Sequence, residues 1–533
     1  MMPRRSELRA VSLASLLYVL LFAFVASRRM AFPYDVEWME GGVLMQAQRI
    51  LDGHLAYPSP SATFVPFFYP PLYAWLVAAL GSMAGGVSYA LGRGLSACAT
   101  VLAAGLGAFA VQRATRRIEL VVLTLGLEAA LASFSGTFLD LVRPDALAMA
   151  LIMTGAVLAA RGGRARLVFA GLFLAAACFA KQTALIAGLG VIGGVAFTRD
   201  RRAMAWVTVP AAVAGLVAFA LLERSTGGRF SFYVASGHQH HVFFRDNLTF
   251  YVYRDVLHLA PVLLVLPLVW LRRARPSSIV PWILAAHLAV VVVHRAVVTR
   301  DLPHMYLRDL WYPHAAWAVP PVLVAVLAAF GTRPIALPET SHLRYWGAVF
   351  VGGLFAAAVG YSTQWAFKNS LMPLAVLGVP FVVLVIDALA ESHPSAQRWL
   401  ALALLVQLVA LFEPPGKQAP DARDRAGWDR LRAHLATFDG KVMVLAHPRL
   451  SWELGGGEHL HAMGISDLAA VSGIADLGPR LAAHEWSAIV TDAGDYVDAP
   501  PILAQHYKVQ ARLEAPAMKT GSRCQPSLLW VPR

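Results

Sequence analysis

Apolar residues gather into thirteen windows along the chain, at roughly 10–27, 94–111, 118–137, 145–160, 166–180, 183–198, 204–222, 257–271, 279–297, 313–331, 345–363, 372–389 and 398–412. A helix that crosses an average bilayer needs about 17–25 such residues, so most of these windows predict transmembrane helices and the shortest require tilt or burial in protein. One further run, 71–91, is long enough to cross, but Pro70 and Pro71 open it and Gly81, Gly85 and Gly86 interrupt it. After about residue 415 the pattern changes. A polar linker, PPGKQAPDARDRAG, leads into alternating helix-like and strand-like stretches: WDRLRAHLATF, KVMVLAH, LGPRLAAH, WSAIVTD and SLLWVPR. These predict a small α/β domain. The expected architecture is mainly α: a polytopic membrane helical bundle over 1–415 and an extracytoplasmic α/β domain over 416–533.

Composition agrees with a membrane protein. Of the 533 residues 58% are hydrophobic and 14% charged, where soluble proteins carry about 25% charged residues. The net charge of +13 would point to nucleic acid in a soluble protein. Here the basic residues sit in short segments between apolar runs, so the charge reports topology and no nucleic-acid partner is expected. If 71–91 lies in the interface, then RRSELR, QRATRR (112–117), RGGRAR (161–166), TRDRR (198–202), LRRAR (271–275), GTR (331–333) and SAQR (395–398) all fall on the cytoplasmic side. If it crosses, most later basic loops land outside. The positive-inside rule selects the first arrangement: about thirteen spans, N-terminus cytoplasmic, C-terminus extracytoplasmic. The three cysteines (Cys98, Cys178, Cys524) are scattered and provide neither a disulfide framework nor a metal quartet. No cleavage site follows the first apolar stretch, which reads as a helix rather than a removable signal.

This topology brings the unusual chemistry to the outer face. The first outer loop, 28–93, contains YDVEWMEGG, with Asp35, Glu37 and Glu40 within six residues, followed by VLMQAQRIL. Val43, Leu44, Ala47, Ile50 and Leu51 share one face, which predicts an amphipathic helix on the bilayer surface with acids at its N-terminus. Acids there also favour the helix dipole, which explains one or two of them but not three beside Trp38 and Tyr34. LDLVRPDALAMAL (139–151) places Pro144 and Asp145 at a helix start beside Arg143; Asp145 is either a cap or a second site carboxylate. In FAKQTAL (179–185) Lys181 and Gln182 stand between two apolar runs. A lysine there either snorkels or meets an anion such as a lipid phosphate. The outer loops also carry SGHQHH (His238, His240, His241), Arg300, Asp301, Arg308 and Asp309, with His304 and His314 nearby, and the terminal domain has His447, His459 and His461 around Gly455–Gly457. None has a zinc spacing, and the glycine run lacks the Lys-Ser/Thr of a nucleotide loop.

The acid-bearing first loop, the helix ending in ILDGHLAY, the PP-L-Y-x-W-L segment (70–76), the RPD and the lone lysine together resemble the GT-C superfamily of integral-membrane glycosyltransferases. The likeness is to protein O-mannosyltransferase-like enzymes and the aminoarabinose transferases that modify lipid A, and it covers roughly the first 200 residues. It implies transfer of a sugar, with inversion, from a polyprenyl-phosphate donor to a lipid, polysaccharide or protein acceptor hydroxyl on the outer face of the inner membrane. Carried over, Asp35 or Glu40 is the catalytic acid of the first loop, with Glu37 its neighbour; Asp145 is that of the second; Lys181 and Arg143, with Gln182, face the lipid phosphate. The family's contiguous Asp-Glu pair is here D-x-E-x-x-E. A positioned carboxylate suits proton abstraction from the attacking hydroxyl, and a phosphate leaving group needs cations. No cofactor is expected; the alternative is Mg²⁺ or Mn²⁺ held by Asp35, Glu37 and Asp145. A transporter would need repeats and broken helices in matched halves, which the sequence lacks. A non-catalytic glycan-assembly scaffold is the other rival.

Overall fold

The computed structural model describes residues 6–251, 255–256, 260–271, 341–392, 397–455, 460–469, 471–493, 501–521 and 524–533. The windows 279–297 and 313–331, the segment 298–312 with its charged residues, and His304, His314 and His459 lie outside the described residues.

Among the described residues helices dominate up to residue 411. They include α1 (Ser6–Met30), α2 (Glu40–Leu51), α3 (Leu72–Ala84), α4 (Tyr89–Thr115), α5 (Ile118–Ala130), α6 (Pro144–Arg161), α7 (Arg164–Ala180), α8 (Ala184–Thr198) and α9 (Arg201–Thr226). Later come α10 (Ser341–Tyr361), α11 (Met372–Ser392) and α12 (Gln397–Leu411). Among the described residues six helices are long and apolar enough to cross a membrane, or seven if α12 and the helical residues after Pro415 form one bent span. The run 71–91 yields the 13-residue α3, about 20 Å long at 1.5 Å per residue and short of a bilayer core. Window 118–137 ends as a helix at Ala130; the turns beyond it reach Gly136 (φ 71°) and Thr137 (φ 61°), whose left-handed backbone does not continue a helix.

The hairpins α4–α5, α6–α7 and α8–α9 turn at segments 112–117, 161–166 and 198–202, which therefore share the end of the bundle remote from Asp145 and Lys181. Close packing uses small residues, as between membrane helices generally. At the α8–α10 crossing a Cβ added to Gly190 would come within 2.7 Å of Gly352 Cα.

The C-terminal region begins with α13 (Ala422–Leu435), opened by a capping box in which Asp421 accepts from the Asp424 amide while the Asp424 carboxylate accepts from the Asp421 amide. Four strands follow, β1 (Lys441–Val444), β2 (Trp486–Ala493), β3 (Tyr507–Arg512) and β4 (Gln525–Pro532), in the order β1-β2-β4-β3. The β1–β2 pair is parallel and the others antiparallel. Helices α14 (Pro448–Glu453) and α15 (Ala462–Ala469) lie between β1 and β2 in sequence.

This region sits on the first loop and changes the expected setting of α2. Residues Glu40–Ala47 are buried, enclosed by protein instead of lying on a bilayer surface. The glycine pair permits it. A Cβ on Gly42 would stand 2.3 Å from the Phe67 ring, and one on Gly41 would stand 3.1 Å from Arg449 Cβ in α14.

Candidate active site

The three acids of the opening loop point three ways. Glu40 is fully buried and grips Arg93 with both oxygens, Oε1 to Nε at 2.9 Å and Oε2 to Nη2 at 2.6 Å. It also accepts the backbone N–H groups of Val36 (2.8 Å), Glu37 (3.2 Å) and Val142 (2.9 Å). Arg93 spends its remaining donors on the carbonyls of Arg29, Phe32 and Tyr34. This cation outweighs the effect of burial and holds the Glu40 carboxyl below its ordinary range. Its oxygens have no acceptor capacity left.

Asp35 faces the C-terminal region. Its Oδ1 accepts from the Gly41 amide (2.8 Å) and the Tyr89 hydroxyl (2.9 Å), and its Oδ2 lies 2.8 Å from His447 Nδ1. His447 Nε2 is 3.1 Å from Asp492 Oδ2 on β2. Burial opposes the imidazolium, but the two carboxylates overcome that and raise His447 to about 10. Other bonds complete the docking: Tyr34 donates to Asp429 at 2.5 Å, and the Lys519 amide to the Val36 carbonyl at 3.1 Å.

Glu37 alone of the three lines a cavity of about 410 Å³, within the usual size of small-molecule sites. Its Oε2 accepts from Arg143 Nη1 at 3.1 Å and from the Met39 amide at 3.2 Å; Oε1 takes part in neither bond. Burial, opposed first by Arg143, brings the Glu37 carboxyl up to about 7. Arg143, Asp145, Lys181 and Gln182 line the same cavity.

Local sequence explains the placement. Arg143 is extended (φ −142°) ahead of Pro144, which occupies the first turn of α6 and needs no amide partner there. Arg143 Nη2 donates to the Tyr69 hydroxyl at 2.8 Å, and burial pushes that hydroxyl up to about 12. Asp145 Oδ1 accepts from Lys181 Nζ and from Asn369 Nδ2, the latter at 2.9 Å. Gln182 Nε2 donates to the Phe68 carbonyl at 2.5 Å, tying the turn between α7 and α8 to the aromatic wall. Two atoms stay open. Arg143 Nε and Asp145 Oδ2 face each other at 3.6 Å, and both are buried without a hydrogen-bond partner. Such a pair invites a ligand that accepts from the guanidinium and donates to the carboxylate.

Of the expected site residues, then, Glu37, Arg143, Asp145, Lys181 and Gln182 come together, while Asp35 and Glu40 are turned away. His238 and His241 join the same wall; burial lowers His238 to about 4, which keeps that ring neutral. Asp35, Glu37 and Asp145 do not converge, and among the described residues no three His, Cys, Asp or Glu side chains are grouped to hold a metal ion. Sequence reasoning missed Tyr69, Arg93 and Asn369. Arg93 carried the signal that marked Lys181, a cation at the end of an apolar run that the expected topology puts outside, where such residues are disfavoured.

No family model and no curated protein sequence matches the chain. Among solved structures, it is similar to ArnT from Cupriavidus metallidurans bound to undecaprenyl phosphate, at 12% identity and a TM-score of 0.51 over 97% of each chain. It also aligns with the oligosaccharyltransferase of Archaeoglobus fulgidus at 9% identity and a TM-score of 0.47, over 97% of this chain and 73% of the other. The likeness to ArnT shows that the chain shares its fold.

Proposed function

We propose that the chain is an inner-membrane glycosyltransferase that moves a sugar from a polyprenyl-phosphate donor to an acceptor hydroxyl on the outer face. The observation that carries this reading is the cavity wall in which Arg143 and Lys181 stand beside Glu37 and Asp145, with Arg143 Nε and Asp145 Oδ2 unpartnered. A protein whose fold matches, ArnT, was crystallised with undecaprenyl phosphate, and two cations suit the phosphate of such a lipid. The basic hairpin turns at the opposite end of the bundle support a cytoplasmic end there, an outer site, and a span count near thirteen once all apolar windows are counted. They support an extracytoplasmic C-terminal domain as well.

Each residue then has a task. Arg143 and Lys181 hold the phosphate and stabilise the charge that grows on it as the anomeric C–O bond breaks. Asp145, bonded to Lys181 and Asn369, fixes the direction of both cations. Gln182 braces the wall by its bond to the Phe68 carbonyl. Glu37 is the general base: its carboxylate takes the acceptor hydroxyl proton while that oxygen forms the new bond to the anomeric carbon. One displacement inverts the centre, and the polyprenyl phosphate departs with the electron pair. Asp35 and Glu40 are struts in this reading, because neither lines the cavity and their oxygens are bonded to His447, Tyr89, Arg93 and backbone amides. With the Glu37 carboxyl near 7, the active form accumulates as pH rises through that value.

Lipid analysis by mass spectrometry in a deletion strain tests the proposal. The strain should accumulate sugar-loaded polyprenyl phosphate; wild-type protein should clear it, and Glu37→Gln should not. Full clearance by Glu37→Gln, Arg143→Ala and Lys181→Ala would refute an enzymatic role for this cavity.

A further inference from the structure

The cavity has a second polar group, unrelated to phosphate. His241 Nε2 and Asp467 Oδ1 are 3.1 Å apart, and both residues line the cavity. They come from different parts of the chain: His241 follows the helical turns after α9, and Asp467 lies on α15 of the C-terminal region. Asp467 is only 7% exposed. The ring of Phe68 lies against both histidines, nearly parallel to His241 at 6.4 Å and tilted at 5.7 Å to His238. Phe67 stands edge-on to Trp38 and packs on His461 at 4.0 Å. Neither His241 nor Asp467 is hydrogen-bonded to Arg143 or Lys181.

The chemistry of this group limits what it can bind. A carboxylate in the wall repels a second phosphate. An isoprenoid chain would bury a carboxylate and an imidazole against hydrocarbon, which is unfavourable. A polyhydroxylated ring satisfies all of it: a hydroxyl donates to the Asp467 oxygen outside the His241 bond, another meets the remaining ring nitrogen of His241, and the aromatic faces cover the ring's C–H surface.

We infer that His241, Asp467 and Phe68 form a hydroxyl-reading subsite for an uncharged glycosyl ring, built jointly by the segment after α9 and the C-terminal domain. This rests on the glycosyltransferase reading and adds that sugar selection depends on Asp467, outside the membrane bundle. The ring is that of the donor or of a sugar acceptor.

The test uses the full chain in detergent, saturation-transfer NMR with methyl glycosides of glucose, galactose, mannose, xylose and arabinose, and tryptophan quenching by undecaprenyl phosphate. At least one glycoside should bind wild type saturably. Asp467→Ala and His241→Phe, which keeps a ring against Phe68, should each weaken it by about 10-fold to 100-fold, the weight of a hydrogen bond to a charged partner. Both variants should bind undecaprenyl phosphate as wild type does, and Lys181→Ala should show the reverse pattern. Binding of no glycoside to wild type, glycoside binding that survives both variants, or joint loss of both ligands in both variants overturns the subsite. Failure of wild type to bind undecaprenyl phosphate, with glycoside binding intact, overturns the glycosyltransferase reading instead. Undecaprenyl phosphate carrying glucose or mannose separates the sources. Tighter binding than the bare lipid, lost in Asp467→Ala, assigns the donor ring. Equal binding, with a methyl glycoside bound alongside, assigns the acceptor.

Discussion

Glu37 and Glu40 stand three residues apart in one loop and differ in almost everything that matters chemically. Both are buried, and each faces an arginine. Glu40 has five donors on its two oxygens; Glu37 has two donors on one oxygen and a cavity beside it. The first is an internal strut joining the loop to α4 and to the segment just before α6. The second is a carboxylate with capacity to accept a proton. Burial and charge alone do not separate the two acids; unfilled bonding capacity at a cavity does, and it is the ground on which Glu37 is proposed as the base.

Substitutions can break the comparison. Glu37→Gln should lower transfer by about 10²–10⁴-fold, the usual contribution of a general base, with the unfolding midpoint in detergent nearly unchanged. Glu40→Gln should do the opposite. It leaves Arg93 buried without its counter-charge, a loss of about 3–5 kcal/mol, read as loss of folded protein and a lower unfolding midpoint. Asp35→Asn removes a charge-assisted bond to His447 and should destabilise docking of the C-terminal region by about 1.5–3 kcal/mol, read as faster proteolysis between the bundle and α13. The His447 contact also responds to pH. Its folded value near 10 lies above the ordinary value of 6.5, so its stabilisation is full below 6.5 and is lost as pH rises through about 10. Proteolysis of wild type should therefore accelerate toward pH 10, and His447→Gln should abolish that dependence. Gly42→Ala drives a methyl into Phe67, with an expected loss of about 1–3 kcal/mol. Gly53→Ala, which meets open space but keeps φ at +82°, should lose about 1 kcal/mol.

Much of this frame was legible in the sequence. The apolar windows anticipated α1, α4, α6 and α9; for 71–91 the charge of the loops predicted an interfacial segment, and the structure shows there the short α3. Arg143, Asp145 and Lys181 were marked by their positions at helix ends facing one side, and they meet. The roles of the three loop acids were not legible, because each is decided by a distant partner. Glu40 finds Arg93, 53 positions away; Asp35 finds His447, 412 positions away. Helical periodicity registers neither. The burial of α2 was missed for a similar reason: its apolar face meets α3 and α14, and a one-dimensional pattern shows an apolar face without showing whether lipid or protein covers it.

The claim that Glu37 is the base while Asp35 and Glu40 are struts is tested most directly by polyprenyl-lipid analysis in deletion strains complemented with Glu37→Gln, Asp35→Asn or Glu40→Gln, normalised to folded protein. Sugar-loaded lipid should accumulate with Glu37→Gln as in the deletion, and the folded fraction of the other two should clear it. Clearance by Glu37→Gln, with accumulation in either of the others at equal folded protein, would contradict the account.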